Sequence, residues 1–263
     1  MDFAILVGIA VGLLGLISGF LLDGGHISVL LKPTAALIVF GGTAGATIAS
    51  FSMQDLKVIP KLLKNTVFQK LPGEDEVIEQ IVQLADQARR EGLLYLEDRL
   101  DEIDDEFLRK GIQLIIDGTD PELVRNILET EIYTLEERND TGASIFETAG
   151  GYAPTMGIIG TVMGLVHVLG NMSDPSTMSS SIALAFIATL YGVGSANILW
   201  LPIAGKLRNI GKKEICIKEL TMEGVISLQG GYNPIIIRER LNAYLNPNRR
   251  QKDKEPEAKE EEE

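Results

Sequence analysis

The stretch at residues 3–22, FAILVGIAVGLLGLISGFLL, contains no charged side chain. An α-helix rises about 1.5 Å per residue, so roughly 20 apolar residues cross the ~30 Å hydrocarbon core of a bilayer. Three further stretches, at 33–54, 148–173 and 175–205, are long enough, and the only group in them that titrates near neutral pH is His167. We therefore predict four transmembrane helices, near residues 3–22, 33–51, 150–171 and 181–203.

The composition agrees with a membrane protein that also has hydrophilic parts. The 263 residues include 37 acidic and 24 basic ones, which gives a net charge of −13, yet the mean hydropathy is +0.14. Both values fit one chain only if charge and hydrophobicity are segregated along it. The net charge argues against nucleic-acid binding, and one cysteine with two histidines argues against a disulfide framework or a zinc site. We predict an all-α integral membrane protein with four transmembrane helices and a helical cytoplasmic domain.

Basic residues in the flanks predict the orientation. They follow the second and fourth hydrophobic segments and are almost absent from the two short loops: Lys57, Lys61 and Lys64; Lys206, Arg208, Lys212 and Lys213. Cytoplasmic flanks carry this excess, so we predict that both termini are cytoplasmic. The first segment lacks the basic start of a signal peptide, since only Met1 and Asp2 precede it.

The hydrophilic parts show helical patterns. We predict helices over 77–88 with a stop at Gly92, over 93–107, and onwards to Gly118. Another helix begins at Asp120-Pro121 and runs on towards the third membrane helix. The predicted divisions are 1–54, transmembrane helices 1 and 2; 55–147, a cytoplasmic helical domain; 148–205, transmembrane helices 3 and 4; 206–247, C-terminal cytoplasmic helices; and 248–263, a disordered charged tail.

Small residues form stripes at spacings of four and three along three of the membrane segments. They are Gly8, Gly12, Gly15 and Gly19; Ala153, Gly157, Gly160 and Gly164; and Ala185, Ala188, Gly192 and Ala196. Glycine is unfavourable inside a helix, and close helix–helix approach is the usual reason for a stripe. The stripes either pack within one subunit or face another copy or protein, and we favour an oligomer.

Two hydroxyl side chains and two prolines stand out in the membrane segments. Thr161 and Thr189 lie on the small-residue faces, where a threonine either bonds its own backbone or lines an ion path. Pro154 lies within the third segment and Pro202 ends the fourth, each an ordinary membrane proline or a hinge. No carboxylate lies within any of the four segments, although cation transport commonly uses one. An ion-driven machine built from this chain would need a partner to supply the acid.

Four sequence runs together resemble the MotA family of flagellar stator proteins. They are GGYAPTMGIIGTVMGLVHVL at 150–169, residues 2–19, Lys32-Pro33 with Gly41-Gly42-Thr43, and ARREGLL at 88–94. The resemblance covers nearly the whole chain up to about residue 247, in the same four-helix order and with the same large loop. The resemblance is specific because it rests on several separate runs and not on a single motif.

The resemblance implies an ion-driven motor part. In that family a pentamer surrounds two copies of MotB, each with one membrane helix that bears the ion-binding aspartate. Flow of H⁺ or Na⁺ drives rotation against the rotor protein FliG. The implied location is the bacterial inner membrane, in contact with lipid. No cofactor is implied beyond the transported ion, and no enzymatic activity.

The resemblance also implies roles for individual residues. Arg89 and Glu97 hold the spacing of the rotor-contacting arginine and glutamate, with Arg90 as an adjacent candidate; without the resemblance these charges are typical of a solvated helix face. Pro154 and Pro202 match the conformational prolines of the family, and Thr189 matches its helix-four hydroxyl. Thr161 stands where sodium-driven members typically have threonine and proton-driven members alanine. We favour sodium, with proton coupling left open.

Three alternatives differ from a stator in sequence. An ExbB- or TolQ-type energiser has three membrane helices and an external N-terminus, whereas four and a cytoplasmic N-terminus are predicted here. A secondary transporter needs its own intramembrane polar or charged site, and the charges are missing. An enzyme is disfavoured because no catalytic constellation or phosphate-binding loop of the G-x-x-x-x-G-K-[ST] type occurs.

Overall fold

The computed structural model describes residues 3–68, 71–170 and 175–245. Every regular element in these ranges is a helix, which confirms the all-α prediction. The longer helices are α1 (Ala4–Leu22), α2 (Pro33–Ser50), α3 (Ile59–Phe68), α4 (Glu74–Glu91), α5 (Glu106–Ile116), α6 (Pro121–Gly170), α7 (Pro175–Ser195), α8 (Leu201–Gln229) and α9 (Pro234–Leu241). Shorter elements are Ile27–Leu30, Met53–Leu56, a 3-10 helix at Leu93–Glu102 and a 3-10 turn at Asn242–Tyr244. The predicted tail at 248–263 lies outside the described residues.

Four helical spans are long and apolar enough to cross a membrane. They are Ala4–Leu22, Pro33–Ser50, Pro121–Gly170 and Met178–Gln229. This confirms the predicted number of transmembrane helices. The fourth begins earlier than expected, because α7 starts at Pro175, a residue type favoured at the first helical position.

The chain divides into two compact units. The membrane unit comprises Met1–Lys70 and Arg138–Ile210, and the hydrophilic unit comprises Leu71–Glu137 and Gly211–Glu263. The membrane unit has two small apolar clusters, one around Ala143, Phe146, Ile203, Ala204 and Leu207 and one around Ala35, Val39, Ile187 and Ala188. Much of its remaining apolar surface is exposed in the single chain, as expected for a surface that meets lipid or other subunits.

The hydrophilic unit has a conventional buried core. Its helices pack one apolar face each, with Ile81, Leu128 and Val225 fully buried. Acidic residues lie in the first turn of α4, and Arg89 and Arg90 lie in its last turn, an order that complements the helix dipole. Gly92 then adopts φ +92°, a left-handed conformation that favours glycine, so α4 stops where the sequence predicts.

The predicted single helix over 93–107 is wrong. Residues Leu93–Glu102 form a 3-10 helix, and α5 starts only at Glu106. The break has a local cause, because the Asp105 side chain accepts a hydrogen bond from the Leu108 backbone N–H at 2.8 Å. The Arg109 guanidinium also holds the Ile103 carbonyl. An N-cap aspartate competes with helix propagation and fixes a start at its own position.

Helix α6 begins at Pro121 as predicted. The Asp120 carboxylate accepts a hydrogen bond from the Glu122 backbone N–H at 2.9 Å. The helix then continues for 50 residues to Gly170, with no break at the predicted division between 147 and 148. The prediction that it runs on towards the third membrane helix is therefore confirmed.

The fourth membrane helix does not end at Pro202, contrary to the sequence prediction. The chain passes from α7 through a π-helical turn at Ala196–Trp200 directly into α8, which starts at Leu201. A proline ring clashes with the carbonyl four residues earlier and lacks an N–H. The wider i→i+5 turn just before Pro202 relieves that clash, so the helix continues.

Candidate functional site

The small-residue faces of α6 and α7 lie against each other. A Cβ built on Gly157 would lie 2.9 Å from the Ala188 carbonyl oxygen, and one on Gly192 would lie 2.5 Å from the Ala153 carbonyl oxygen. Both distances are shorter than a side-chain carbon tolerates against backbone. Only glycine allows this approach, so the two helix backbones are in direct contact.

The same contact extends along α6 towards its C-terminal end. A Cβ on Gly160 would lie 2.6 Å from the Ala188 Cβ, and one on Gly164 would lie 3.0 Å from the Ala185 Cβ. The predicted stripes on these two helices therefore meet within one chain. For these two helices, the stripes pack within one subunit and do not face another copy or protein at this contact.

Thr161 and Thr189 lie on opposite sides of this contact. Their Oγ1 atoms are 2.5 Å apart, and either atom can be the donor. The Thr161 hydroxyl also reaches two carbonyl oxygens, at 3.1 Å from Gly157 in its own helix and 3.0 Å from Ala185 across the contact. The backbone alternative is observed for Thr161, which bonds its own helix at i−4. The same hydroxyl also joins a cluster of oxygens between the helices, and a role in an ion path stays a prediction.

Four oxygen atoms thus converge at half-buried positions. Two are hydroxyls and two are carbonyls, and none carries a formal charge. Because the hydroxyls bring two protons, lone pairs are left over on the oxygens. An uncharged oxygen set of this kind replaces the water of a hard cation such as sodium. A carboxylate from elsewhere would be needed to neutralise the ion.

The glycines of α1 have a different environment. A Cβ on Gly12 would lie 3.7 Å from the Ile198 side chain, whereas one on Gly8, Gly15 or Gly19 would meet nothing within 4 Å. Helix α1 is also largely exposed along its length in the single chain. Its stripe is therefore available for a neighbour outside this chain.

The two prolines lie within continuous helices. Pro154 is inside α6, between Ala153, which meets Gly192, and Gly157, which meets Ala188. Pro202 follows the π-helical turn at Ala196–Trp200. Each proline removes one backbone hydrogen bond. Pro154 does so within the contact between α6 and α7, where a bend would change the separation of the two helices.

The predicted rotor residues lie in the hydrophilic unit. Arg89, Arg90 and Glu97 are all exposed. Arg90 pairs with Asp86 at 2.9 Å, whereas neither Arg89 nor Glu97 forms an ion pair within the described residues. The ion pair of Arg90 therefore distinguishes it from Arg89, whereas the sequence leaves both as candidates for the rotor contact.

Arg99 lies in the same 3-10 segment as Glu97 and bonds to residues of that segment. Arg99 donates hydrogen bonds to the Tyr95 hydroxyl at 3.4 Å and to the Glu102 carboxylate at 2.5 Å. Together these bonds raise the pKa of the Arg99 guanidinium above its usual value, so Arg99 stays charged. Arg99 is thus held within its own segment.

Tyr191 is a contact residue that the sequence analysis missed. Its hydroxyl donates to the Leu30 carbonyl at 2.5 Å and accepts from the Lys32 backbone N–H at 3.3 Å. Its ring lies 6.1 Å from that of Phe40. Tyr191 thus ties α7 to the segment that enters α2. A lone tyrosine within an apolar helix was the available signal, because a membrane hydroxyl needs a partner.

Two family models match the chain and together span most of it. The MotA/TolQ/ExbB proton channel family matches residues 99–219. The Motility protein A N-terminal model matches residues 6–92. The first match contains Thr161 and Thr189, and the second contains Arg89 and Arg90.

Full-length relatives are also similar. Motility protein A of Bacillus subtilis is 37% identical over 247 residues, which cover 93% of this chain and 91% of the relative. Chemotaxis protein PomA of Vibrio alginolyticus is 37% identical over 250 residues, which cover 95% of this chain and 98% of the relative. The similarity therefore includes both units.

The three-dimensional structure is similar to a solved complex. A chain of the flagellar MotAB stator complex from Bacillus subtilis superposes with a TM-score of 0.88 at 36% identity. The match covers 94% of this chain and 97% of the other.

Proposed function

Since this chain belongs to the MotA/TolQ/ExbB proton channel family, we propose that it is a stator subunit of the flagellar motor. With MotB it forms an ion channel and converts ion-motive force into torque. The observation that carries the proposal is the oxygen cluster of Thr161 and Thr189 in membrane segments that have no carboxylate. The family is a channel family, which confirms that the chain is not an enzyme.

The partner supplies the missing acid. An ion that crosses a bilayer needs a group that neutralises or exchanges it, and the membrane segments of this chain offer only uncharged oxygens and His167. In the solved MotAB stator complex from Bacillus subtilis, the chain similar to this one is assembled with MotB. In this family MotB brings the ion-binding aspartate. The channel is therefore shared between the two proteins.

Several copies assemble around that partner. The exposed glycine face of α1 supports an oligomer, because a Cβ on Gly8, Gly15 or Gly19 would meet no described residue within 4 Å. The resemblance to MotA implies a pentamer around two MotB helices. The match of residues 6–92 to the Motility protein A N-terminal model supports a stator over an ExbB- or TolQ-type energiser.

The proposed location is the bacterial inner membrane, with both termini in the cytoplasm. The basic flanks after the second and fourth segments support this orientation. The hydrophilic unit then faces the rotor protein FliG. Arg89 and Glu97, which form no ion pair with any other described residue, present their charges to it. Lipid covers the rest of the exposed apolar surface of the membrane unit.

Sodium is the proposed coupling ion, with protons as the alternative. Sodium binds through oxygen ligands, and Thr161 reaches three other oxygens within 3.1 Å. A proton would be carried by the MotB aspartate alone, since the hydroxyls do not titrate near neutral pH, so proton coupling gives the oxygen cluster no role. The threonine at 161 is also the residue typical of sodium-driven members of the family.

Replacing Thr161 by alanine is expected to raise the sodium concentration needed for half-maximal swimming speed several-fold. The substitution removes one oxygen ligand and leaves the Thr189 hydroxyl without its partner at 2.5 Å. The measurement is swimming speed in a sodium titration at fixed pH. Thr155→Ala is the matched control, because the Thr155 side chain is exposed and its hydroxyl bonds, among the described residues, only the Tyr152 carbonyl. A wild-type speed that is independent of sodium would refute sodium coupling and favour protons.

The chain expressed without MotB is expected to conduct little. Without a partner carboxylate, the uncharged oxygen cluster leaves an entering cation largely unneutralised. The measurement is sodium or proton flux into liposomes that contain the chain alone or the chain with MotB. Flux from the chain alone that equals flux from the complex would overturn the shared channel.

A further inference from the structure

A small pocket lies on the hydrophilic unit where two helices end. Helix α4 ends just before Gly92 and α8 ends two residues before Gly231, and both glycines are left-handed, with φ of +92° and +67°. The pocket between these helix ends has a volume of about 100 Å³. The stator function proposed above gives Arg89 a role here, but it gives none to the pocket.

The lining of the pocket is largely apolar and fixed in place. Ala85 and Leu228 line it and belong to the buried core of the unit, so its deep part is apolar. Gln229 also lines it, and the Gln229 amide donates a hydrogen bond to the Thr119 carbonyl at 2.6 Å. A lining held in this way needs little ordering when a partner group enters.

The rim of the pocket carries an aromatic ring and a positive charge. Tyr232 is 51% exposed, and its ring lies against Gly230, where a Cβ would be 2.9 Å from the ring. Arg89 is exposed and forms no ion pair with any other described residue. Tyrosine and arginine are enriched among the residues that carry most of the binding energy at protein interfaces. The rim therefore has the composition of an interface anchor site.

The size of the pocket favours a protein side chain over a small molecule. Pockets for drug-sized ligands have volumes of about 300–1,000 Å³, several times the volume found here. A volume of about 100 Å³ corresponds to about three water molecules, or to one branched aliphatic side chain. Because the deep lining is apolar, the release of that water favours an apolar occupant.

We propose that this pocket anchors the rotor protein by receiving one aliphatic side chain, such as leucine or isoleucine, that lies beside an acidic residue on the rotor surface. The acid pairs with Arg89, and the aliphatic side chain packs against Ala88 and the Tyr232 ring. This inference rests on the proposed stator function and adds apolar burial to a contact that was described by charge alone. The charges set the approach and register, and the pocket contributes affinity.

The rotor fits this pocket better than a second copy of the chain does. The resemblance to MotA places the rotor contact at Arg89, so the anchor and the ion pair form one continuous interface. Permanent contacts between subunits commonly bury about 2,000 Å² or more. One side chain in a small pocket and one exposed ion pair instead suit a contact that forms and breaks as the rotor moves.

The first experiment identifies the occupant. In cells that carry the full stator complex, a benzophenone side chain is introduced in place of Tyr232 or, as the positive control, Arg89, and light-induced adducts are identified by mass spectrometry. We expect adducts with FliG from both positions. The same group in place of Tyr133, which is 60% exposed on α6 and outside the pocket, is expected to give none.

The other outcomes of the cross-linking separate the two proposals. A FliG adduct from residue 89 alone, or an adduct of residue 232 with a second copy, would overturn the anchor and leave the charged rotor contact standing. FliG adducts from neither position would overturn the rotor contact itself, and the anchor with it.

The second experiment measures how much the anchor contributes. Tyr232→Ala removes part of the rim and is expected to lower the number of stator complexes engaged per motor about fivefold, as for an interface residue worth ~1 kcal/mol. Labelled complexes are counted at single motors by fluorescence, and the amount of membrane-inserted complex is checked in parallel. Tyr232→Phe keeps the ring and Tyr133→Ala removes a similarly exposed tyrosine elsewhere, so both are expected to match the wild type.

The comparison with Arg89→Gln completes the test. Wild-type engagement in Tyr232→Ala together with lost engagement in Arg89→Gln would overturn the anchor and keep the stator function. Equal losses in Tyr232→Ala and Tyr133→Ala would also overturn the anchor, because the effect would not then belong to the pocket.

Discussion

Alanine at Gly192 is expected to destabilise the stator complex by about 2–3 kcal/mol, the upper part of the range for overpacked sites. The new Cβ would lie 2.5 Å from the Ala153 carbonyl oxygen and 3.0 Å from the Gly157 Cα. Both atoms belong to the backbone of α6, so no side chain rotates away to make room. Relief requires that α6 and α7 move apart, which also separates Thr161 from Thr189. We therefore expect lower thermal stability and lost motility together.

The control for this substitution is two residues away. A Cβ on Gly194 meets nothing within 4 Å, and alanine in a helix is more favourable than glycine by about 1 kcal/mol. Gly194→Ala is therefore expected to leave the complex unchanged or slightly more stable. The measurement is the thermal unfolding of the purified complex, followed by a motility assay. Equal unfolding temperatures for the two variants would contradict the proposed backbone contact.

The sequence predicts which glycines share a face but not what that face meets. Spacings of four and three place Gly157, Gly160 and Gly164 on one side of a helix, since a helix repeats every 3.6 residues. The same spacings occur in α1, yet there a Cβ on Gly8, Gly15 or Gly19 would meet nothing within 4 Å among the residues that the structure describes. The periodicity is a local property, whereas the neighbour is set by how distant segments pack.

Other features escaped prediction for the same physical reason. The threonine pair joins residues 28 positions apart, so each hydroxyl was identified but not their contact. The helix break at Ile103 depends on capping by Asp105, which overrides a good apolar pattern. The helix continues past Pro202 because of a π turn, and no residue preference in the sequence predicts that turn. The four membrane spans were predictable because a stretch of about 20 residues without charged side chains is enough to predict one.

Reversal of the charges at Arg89 and Glu97 is expected to abolish most swimming while the complex stays assembled. Both side chains are exposed, and neither forms an ion pair within the part of the chain that the structure describes. Exposed charges contribute about 0–1 kcal/mol to stability even when paired, so Arg89→Glu and Glu97→Lys should not unfold the chain. Like charges placed across an interface cost several kcal/mol, so the contact with FliG should fail.

Arg90 provides the matched control for that experiment. It lies beside Arg89 but already pairs with Asp86 at 2.9 Å, so its charge is partly satisfied within the chain. Arg90→Gln should therefore slow swimming less than Arg89→Gln, as measured by cell tracking with the amount of membrane-inserted complex checked in parallel.

Opposite charge reversals in FliG should restore part of the speed lost in Arg89→Glu or Glu97→Lys, because they recreate the attraction. Equal losses of swimming speed for Arg89→Gln and Arg90→Gln would show that the Arg90–Asp86 ion pair does not make Arg90 less important than Arg89. No loss from either charge reversal would remove both residues from the rotor contact.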